Sequence, residues 1–349
     1  MSKQHEITAP QRLLNAEGNI AEPGFAKKLY WQYDRADIKA KKIRIKEWDY
    51  YYIGNRDYGL CLTISDVGYV SSLSISLLGY GAEPFQFNDS ELGVFPMGKV
   101  GMPATSERGN VSAKAGTLDI TFDNDGETRH LYGTYDNFVN SKKALTFDVV
   151  LTGIPEESMV IATPFDKKGH FYYNQKINCM YAEGWCEFDG VRYEFNRANG
   201  SLGTLDWGRG VWTYDNTWYW GSGQMILESG DRFGYNIGYG FGNTSAATEN
   251  MLFYNGKSHK IDEVTFNIPK DADGNYKYME PWTFSSNDGR FEMRFVPIID
   301  RQAPFDLGVL CMIPHQVFGL LSGKAILDDG TVVEVEDRLV FAEHVHNKW

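Results

Sequence analysis

Apolar and polar residues alternate with a period of two along most of the chain. Leu73, Ile75 and Leu77 alternate with Ser72, Ser74 and Ser76, and Leu145, Phe147, Val149 and Leu151 share one face. Phe233, Tyr235, Ile237, Tyr239 and Phe241 alternate with Gly234, Asn236, Gly238, Gly240 and Gly242, while Phe291, Met293 and Phe295 flank Glu292 and Arg294. Each run predicts a half-buried strand, whose successive side chains point to opposite faces. Asp125-Gly126, Asp189-Gly190, Asn255-Gly256, Asp273-Gly274, Asp288-Gly289 and Asp329-Gly330 punctuate the runs. Such pairs suit hairpin turns, where φ must be positive. No long segment has a helical period, although Ala36 to Lys46 could form a short basic turn. The expected class is antiparallel all-β.

So many strands need their edges hidden, and closure into barrels does this most simply. Two barrels of about eight strands each would account for the 349 residues. A short echo supports two halves, since Trp48 stands two residues before Tyr50 and Trp212 two before Tyr214. A polar segment around Arg197–Ser201 would separate them. The expected organisation is an N-terminal extension over 1–25, a first barrel over 26–198 and a second over 199–349.

Composition strengthens this reading: 21 Phe, 21 Tyr, 9 Trp and 36 Gly favour strands with many turns and bulges. The net charge of −12 argues against nucleic-acid or anionic-membrane partners, which are engaged mainly through Lys and Arg. No apolar run is long enough to span a bilayer, so no stable membrane insertion is expected. The first residues show no secretion signal, which makes the cytoplasm the expected compartment. There Cys61, Cys179, Cys186 and Cys311 would stay reduced and act as small buried hydrophobes, and Asn110 and Asn243 would stay unglycosylated. Phosphate-loop, GxSxG, HExxH and dinucleotide-binding patterns are all missing, so no cofactor and no metal are expected. His344 and His346 share a strand face, but no third ligand is evident.

Candidate chemistry centres on LDWGRGVWTYDNTWYWGSG, Leu205 to Gly223, which concentrates Trp207, Trp212, Trp218 and Trp220. Alternation puts Asp206, Gly208, Gly210, Trp212 and Tyr214 on one face, and Leu205, Trp207, Arg209 and Val211 on the other. The two glycines leave space beside Asp206, and a carboxylate in an apolar recess holds its proton more tightly, as a general acid requires. Equally, Gly208 could be a bulge that lets Arg209 clamp Asp206 at a barrel mouth, with Trp207 as a plug. The glycine-lined face around Asn236 predicts either a cavity or a closely packed neighbour. Glu249, just before Met251, Leu252 and Phe253, is a second candidate for a buried carboxylate. Lys176 and Glu183, interleaved with aromatics, could hold a polar ligand group or lie as a pair on the surface. His315 reads as a rim histidine.

LDWGRGVW, WYWGSG, TENMLFYNGKSHKI and HQVFGLLSG, with KEWDYYYI and GHFYYNQK earlier, resemble the bacterial domain of unknown function family 2804 across nearly the whole chain. That family is more distantly similar to the double-lipocalin group, which includes carotenoid hydratase (hydroxyneurosporene synthase), tocopherol cyclase, kievitone hydratase and AttH proteins. The resemblance implies two consecutive lipocalin-like barrels but supplies no reaction. It also implies acidic and aromatic residues at the barrel junction, matched here by Asp206, Trp207 and Trp212.

The expected function is binding of a large, mostly apolar small molecule in a barrel pocket, with proton-initiated hydration, dehydration, isomerisation or cyclisation. Asp206 or Glu249 would be the acid. Trp212, Tyr214, Trp218 and Trp220 would line the pocket, and Arg209 would orient a carboxylate or hold Asp206. Two alternatives use the same residues: a non-catalytic lipid or isoprenoid carrier, and a sugar-binding protein with an open aromatic groove.

Overall fold

The computed structural model describes residues 4–306, 308 and 310–349. Its strands form two large curled antiparallel sheets, joined by a short link at 212–214. In the first sheet the hydrogen-bonded order begins Phe85–Val94, Val70–Gly79, Tyr58–Asp66, Ile45–Gly54 and Leu202–Val211. It continues through Phe171–Phe188, Leu145–Thr152, Arg129–Tyr135, Leu118–Asn124 and Val111–Ala115. The second sheet runs Lys257–Lys260, Met251–Tyr254, Arg232–Tyr239, Asp215–Ile226, Val332–Lys348, Cys311–Ile326, Phe291–Arg301, Trp282–Ser286 and Val264–Asn267. Each curls into a lipocalin-like barrel, as the alternation predicts.

The Leu202–Val211 strand lies in the first sheet, between Ile45–Gly54 and Phe171–Phe188. The sheets therefore change over beyond Val211, not at the polar 196–201 segment, which is a turn leading back into the first sheet. The N-terminal segment is integrated: Gly24–Ala26 pairs with Met159–Pro164, and Gln4 reaches across to Asp262 and Ile261 of the second sheet. The basic stretch from Ala36 to Lys46 becomes the end of one 3-10 turn, Arg35–Asp37, and a second, Lys42–Arg44, running into the Ile45 strand.

The turn pairs behave as predicted. At Asn255-Gly256 both residues have positive φ, 47° and 82°, and Asp189-Gly190 does the same at 54° and 77°. The long Phe171–Phe188 strand carries a bulge between Ile177 and Met180, where Cys179 has φ +66°. This bend lets one strand serve two partners on the same edge, Met159–Pro164 and then Leu145–Thr152.

Three apolar cores result. Tyr51, Ile53, Leu62, Tyr173, Leu205 and Trp207 help fill the first barrel, and Phe233, Tyr235, Ile237, Phe284, Phe295 and Leu321 fill the second. A third core, including Tyr50, Tyr52, Tyr172, Trp212, Trp220, Phe318 and Phe341, draws on the outer faces of both sheets and joins the barrels. Strands facing this layer are buried on both sides, so Leu202–Val211 is buried at every position. Each large apolar side chain buried this way stabilises by roughly 1.5–3 kcal/mol.

Candidate functional site

The two faces of Leu202–Val211 have different fates. Leu205, Trp207, Arg209 and Val211 point into the first barrel, while Asp206, Gly208 and Gly210 face the junction between the barrels. The alternation is as expected, but the pocket lies at the junction rather than inside a barrel, because both interiors are filled by side chains. The junction pocket encloses about 180 Å³. Its walls include Trp48, Tyr172, Trp212, Trp218, Trp220 and Phe241, with Lys176, Asp206, Glu343 and Asn347 as its polar groups.

Gly208 does not leave open space. A Cβ there would run into the indole of Trp48, which lies flat across the strand and forms part of the wall. Trp48 in turn packs on Trp212, with ring centroids 6.0 Å apart. Trp212 touches Trp218 at 5.3 Å, Tyr172 at 5.4 Å and Phe165 at 5.6 Å. Gly208 is thus room for a tryptophan, whereas Gly210 allows close approach of the Phe171 carbonyl. Gly238 plays the same part for Glu249, whose carboxylate occupies the space a Cβ would need.

Asp206 is directly opposite Lys176 on the neighbouring strand. Lys176 Nζ lies 2.8 Å from Asp206 Oδ1, and Asn174 Nδ2 donates to the same oxygen at 2.7 Å. The Lys176 ammonium also sits over the Trp220 ring, 3.9 Å from its centroid. Trp220 donates its indole N–H to Asn236 Oδ1 at 2.7 Å, and Asn236 donates to the Glu249 carbonyl at 2.9 Å. Asn236 therefore fixes a wall residue from behind.

Glu343, in the second sheet, and Glu249, in the loop before its Met251–Tyr254 strand, flank this pair. Tyr172 OH donates to Glu249 Oε2 at 3.2 Å, while Glu249 Oε1 is buried without a partner. Glu343 accepts from Trp218 Nε1 at 2.8 Å and from Gln316 Nε2 at 3.2 Å. Burial pushes both carboxyls up to about 7; Lys176 opposes the shift and Asp206 adds to it. Near neutral pH each is poised between acid and base. Asn347 lines the pocket with neither side-chain amide atom engaged, and the Trp212 and Trp349 indole N–H groups are likewise buried and unpartnered. Three polar groups are thus available to a ligand oxygen.

Several expected residues lie elsewhere. Arg209 does not touch Asp206: it is fully buried on the opposite face, donating to Asp49 Oδ1 at 3.0 Å and to the Trp48, Gly208 and Pro103 carbonyls at 2.8 Å. Trp207 stacks beneath this guanidinium inside the first barrel, 4.1 Å from it. Tyr214 is on the surface link and does not line the pocket. Glu183 is exposed and pairs with Arg197 at 3.2 Å rather than with Lys176, from which it is separated by several residues of extended strand. His315 bonds Asp300 at 2.7 Å and stacks on Tyr278 at 3.7 Å, away from the pocket. His344 and His346 have separate partners, Tyr278 and Asp215. All four cysteines are free and buried.

Sequence reasoning missed Trp48, Tyr172, Asn174, Phe241, Glu343 and Trp349. A signal existed for Glu343: it alternates in phase with Phe341 and Val345 while Ala342 and His344 face the other way. A lone carboxylate on such an apolar face is a candidate for burial.

No curated protein matches the sequence. Among solved structures, the fold is similar to CghA crystallised with Sch210972, at TM-score 0.54 and 10% identity over 97% of each chain. It is also similar to an assigned AttH from Nitrosomonas europaea, at TM-score 0.51 and 12% identity over 86% of this chain and 92% of that one. Kievitone hydratase from Nectria haematococca gives TM-score 0.49 and 12% identity over 97% of this chain and 98% of that chain. The profile of the family described as a domain of unknown function, DUF2804, matches residues 4–349, and the chain belongs to that family.

Proposed function

We propose that the protein binds a mostly apolar small molecule bearing an oxygen function in the junction pocket. There it catalyses a proton-initiated hydration, dehydration, isomerisation or cyclisation using only its own acid and base groups. The observation that carries this reading is Glu343. It is a pocket-lining carboxyl with a proton affinity near neutrality, on the same aromatic wall as the Lys176-bound Asp206. Glu343 would give its proton to an alkene or enone carbon, and Trp218, Trp220 and the Asp206 carboxylate would steady the resulting positive charge. Asp206 would then take a proton, either from the neighbouring carbon in an isomerisation or from the attacking water in a hydration. Glu249, linked to the wall through the Tyr172 hydroxyl, is a second proton store. Asp206, expected as the acid, takes the part of the base in this reading, since it already accepts from Lys176 and Asn174.

The pocket sets the scale of the ligand. A cavity of about 150 Å³ accommodates one benzene, so the 180 Å³ present here suits a single ring or short branched unit. The remainder of a larger molecule would extend through the mouth. CghA was crystallised with Sch210972, which is consistent with a ligand-binding use of this fold.

A carrier is the second reading, and the pairing of Asp206 with Lys176 and Asn174 favours it. A sugar-binding groove is less suited: Trp207, Trp212 and Trp220 are buried and offer no open platform. Native mass spectrometry of the protein from its own host, followed by solvent extraction, separates the first two. Catalysis predicts a bound pair differing by one water, or two isomers, and enrichment of the substrate member in Glu343→Gln. A single compound, unchanged on incubation and identical in the variant, would establish the carrier.

A further inference from the structure

The pocket end of the molecule carries a second feature that the pocket chemistry does not use. Val94, Phe95 and Met97 are exposed, Val94 at 80% and Phe95 at 57%. Val94 ends an edge strand, Phe85–Val94, that pairs on one side only, and Phe95 and Met97 follow it. Phe95 and Met97 have φ of 50° and 48°, a conformation costly for bulky side chains. The loop is pinned there by hydrogen bonds from Phe95 N to the Tyr69 carbonyl, Met97 N to the Gly68 carbonyl and Gly98 N to Asp66 Oδ2. Apolar side chains are thus held outward by a strained and fully bonded backbone.

The turn they rest on adjoins the pocket. Val67 lines it, and Met312, 41% exposed, forms another part of its mouth. Basic residues surround the same end. The Ile43 backbone packs on Gly68, which places Lys41 and Lys42 beside the loop, and Arg44 donates to the Trp212 and Trp349 carbonyls of the pocket wall. Lys167 and Lys168 lie in the turn after Phe165, whose ring packs on Trp212. Lys41, Lys42, Lys99, Lys167 and Lys168 are exposed, and none has a carboxylate within ion-pair distance among the described residues. The overall charge of −12 conceals this local excess.

We propose that the pocket end is a docking surface for anionic lipid bilayers, with Val94, Phe95 and Met97 entering the interface and the surrounding lysines contacting acidic headgroups. An exposed apolar tip within a basic rim is the pattern that binds such surfaces without spanning them. The proposal departs from the expectation that the net charge argues against an anionic-membrane partner, and it involves no stable insertion. Docking would let an apolar molecule pass between bilayer and pocket without crossing water. That use rests on the ligand reading above; the docking itself does not.

Co-sedimentation with phosphatidylcholine vesicles, with and without about one-third phosphatidylglycerol, tests this independently of any turnover. The wild-type chain should bind the anionic vesicles and be released by high salt. Lys41→Glu/Lys42→Glu and Phe95→Asn/Met97→Asn should each weaken binding at least tenfold, since asparagine tolerates positive φ and keeps the loop shape. Val332→Asn, at the opposite end of the Val332–Lys348 strand, should leave binding unchanged. Each variant must unfold at the wild-type temperature. A wild-type chain that stays in the supernatant with both vesicles overturns the proposal. So do loop variants that bind like wild type, and so does a wild-type dimer that Phe95→Asn/Met97→Asn converts to monomer, which would make the patch a contact between copies.

Discussion

The Asp206 carboxylate is held from two directions, by Lys176 and by Asn174, and all three side chains are buried. A buried ion pair contributes little net stability when intact, but removing one partner strands the other charge in a low-dielectric site. Lys176→Met should therefore destabilise the fold by about 3–5 kcal/mol, read from the urea midpoint at unchanged slope. Adding Asp206→Asn to Lys176→Met should recover much of that loss, because no buried charge is then left unpaired. A single variant with no measurable cost would mean that Asp206 escapes to water or takes up a proton, and that the pair is not as described. Residue types pointed to Asp206 and to the tryptophans around it. They did not reveal Lys176 as its partner, because that contact depends on the register between strands some thirty residues apart. Arg209, three positions along, was the nearer candidate in sequence, yet the alternation already put it on the other face.

Strands supplied most of what could be read in advance. The alternating runs at Leu73, Leu145, Phe233 and Phe291 are all strands, and the Asp-Gly and Asn-Gly pairs are turns. What alternation leaves undetermined is which face a barrel takes as its interior when both faces are buried. Arg232–Tyr239 shows why. Phe233, Tyr235 and Ile237 fill the second barrel, while Gly234 and Gly238 make room for the other side of the junction. A Cβ on Gly234 would come within 2.6 Å of Cys179 Sγ, on the bulge of the first barrel. The glycine face is thus a docking face for a neighbouring element, one of the two possibilities its composition allowed. Gly234→Val should wedge the barrels apart, at a cost of about 1–3 kcal/mol for overpacking. Differential scanning calorimetry should show the single unfolding transition broadening or dividing. A single sharp transition at the wild-type temperature would contradict tight packing at this position.

Across the whole molecule, the site exists only because the barrels meet. Lys176, Asp206 and Tyr172 come from the first sheet, Glu343, Trp218 and Trp220 from the second, and Glu249 from the loop leading into its Met251–Tyr254 strand. Neither half alone assembles the proton-transfer groups, so the alternation around Glu343 marked it for burial without showing what it would face. The same junction withdraws water from the carboxyls and raises Glu249 and Glu343 to about 7. An ordinary glutamic acid has lost its proton well below that, at about 4.3. The most direct measurement is an infrared titration comparing wild type with Glu343→Gln. Above pH 5 and below neutrality, the wild type should retain protonated-carboxyl carbonyl intensity from both Glu249 and Glu343, Glu343→Gln should keep only the Glu249 share, and the difference between the two should disappear with a midpoint near 7. If wild type and variant instead show the same carboxyl titration, with no protonated intensity lost in Glu343→Gln above the ordinary glutamate range, Glu343 is an ionised side chain at neutral pH and the acid assigned to this pocket is wrong.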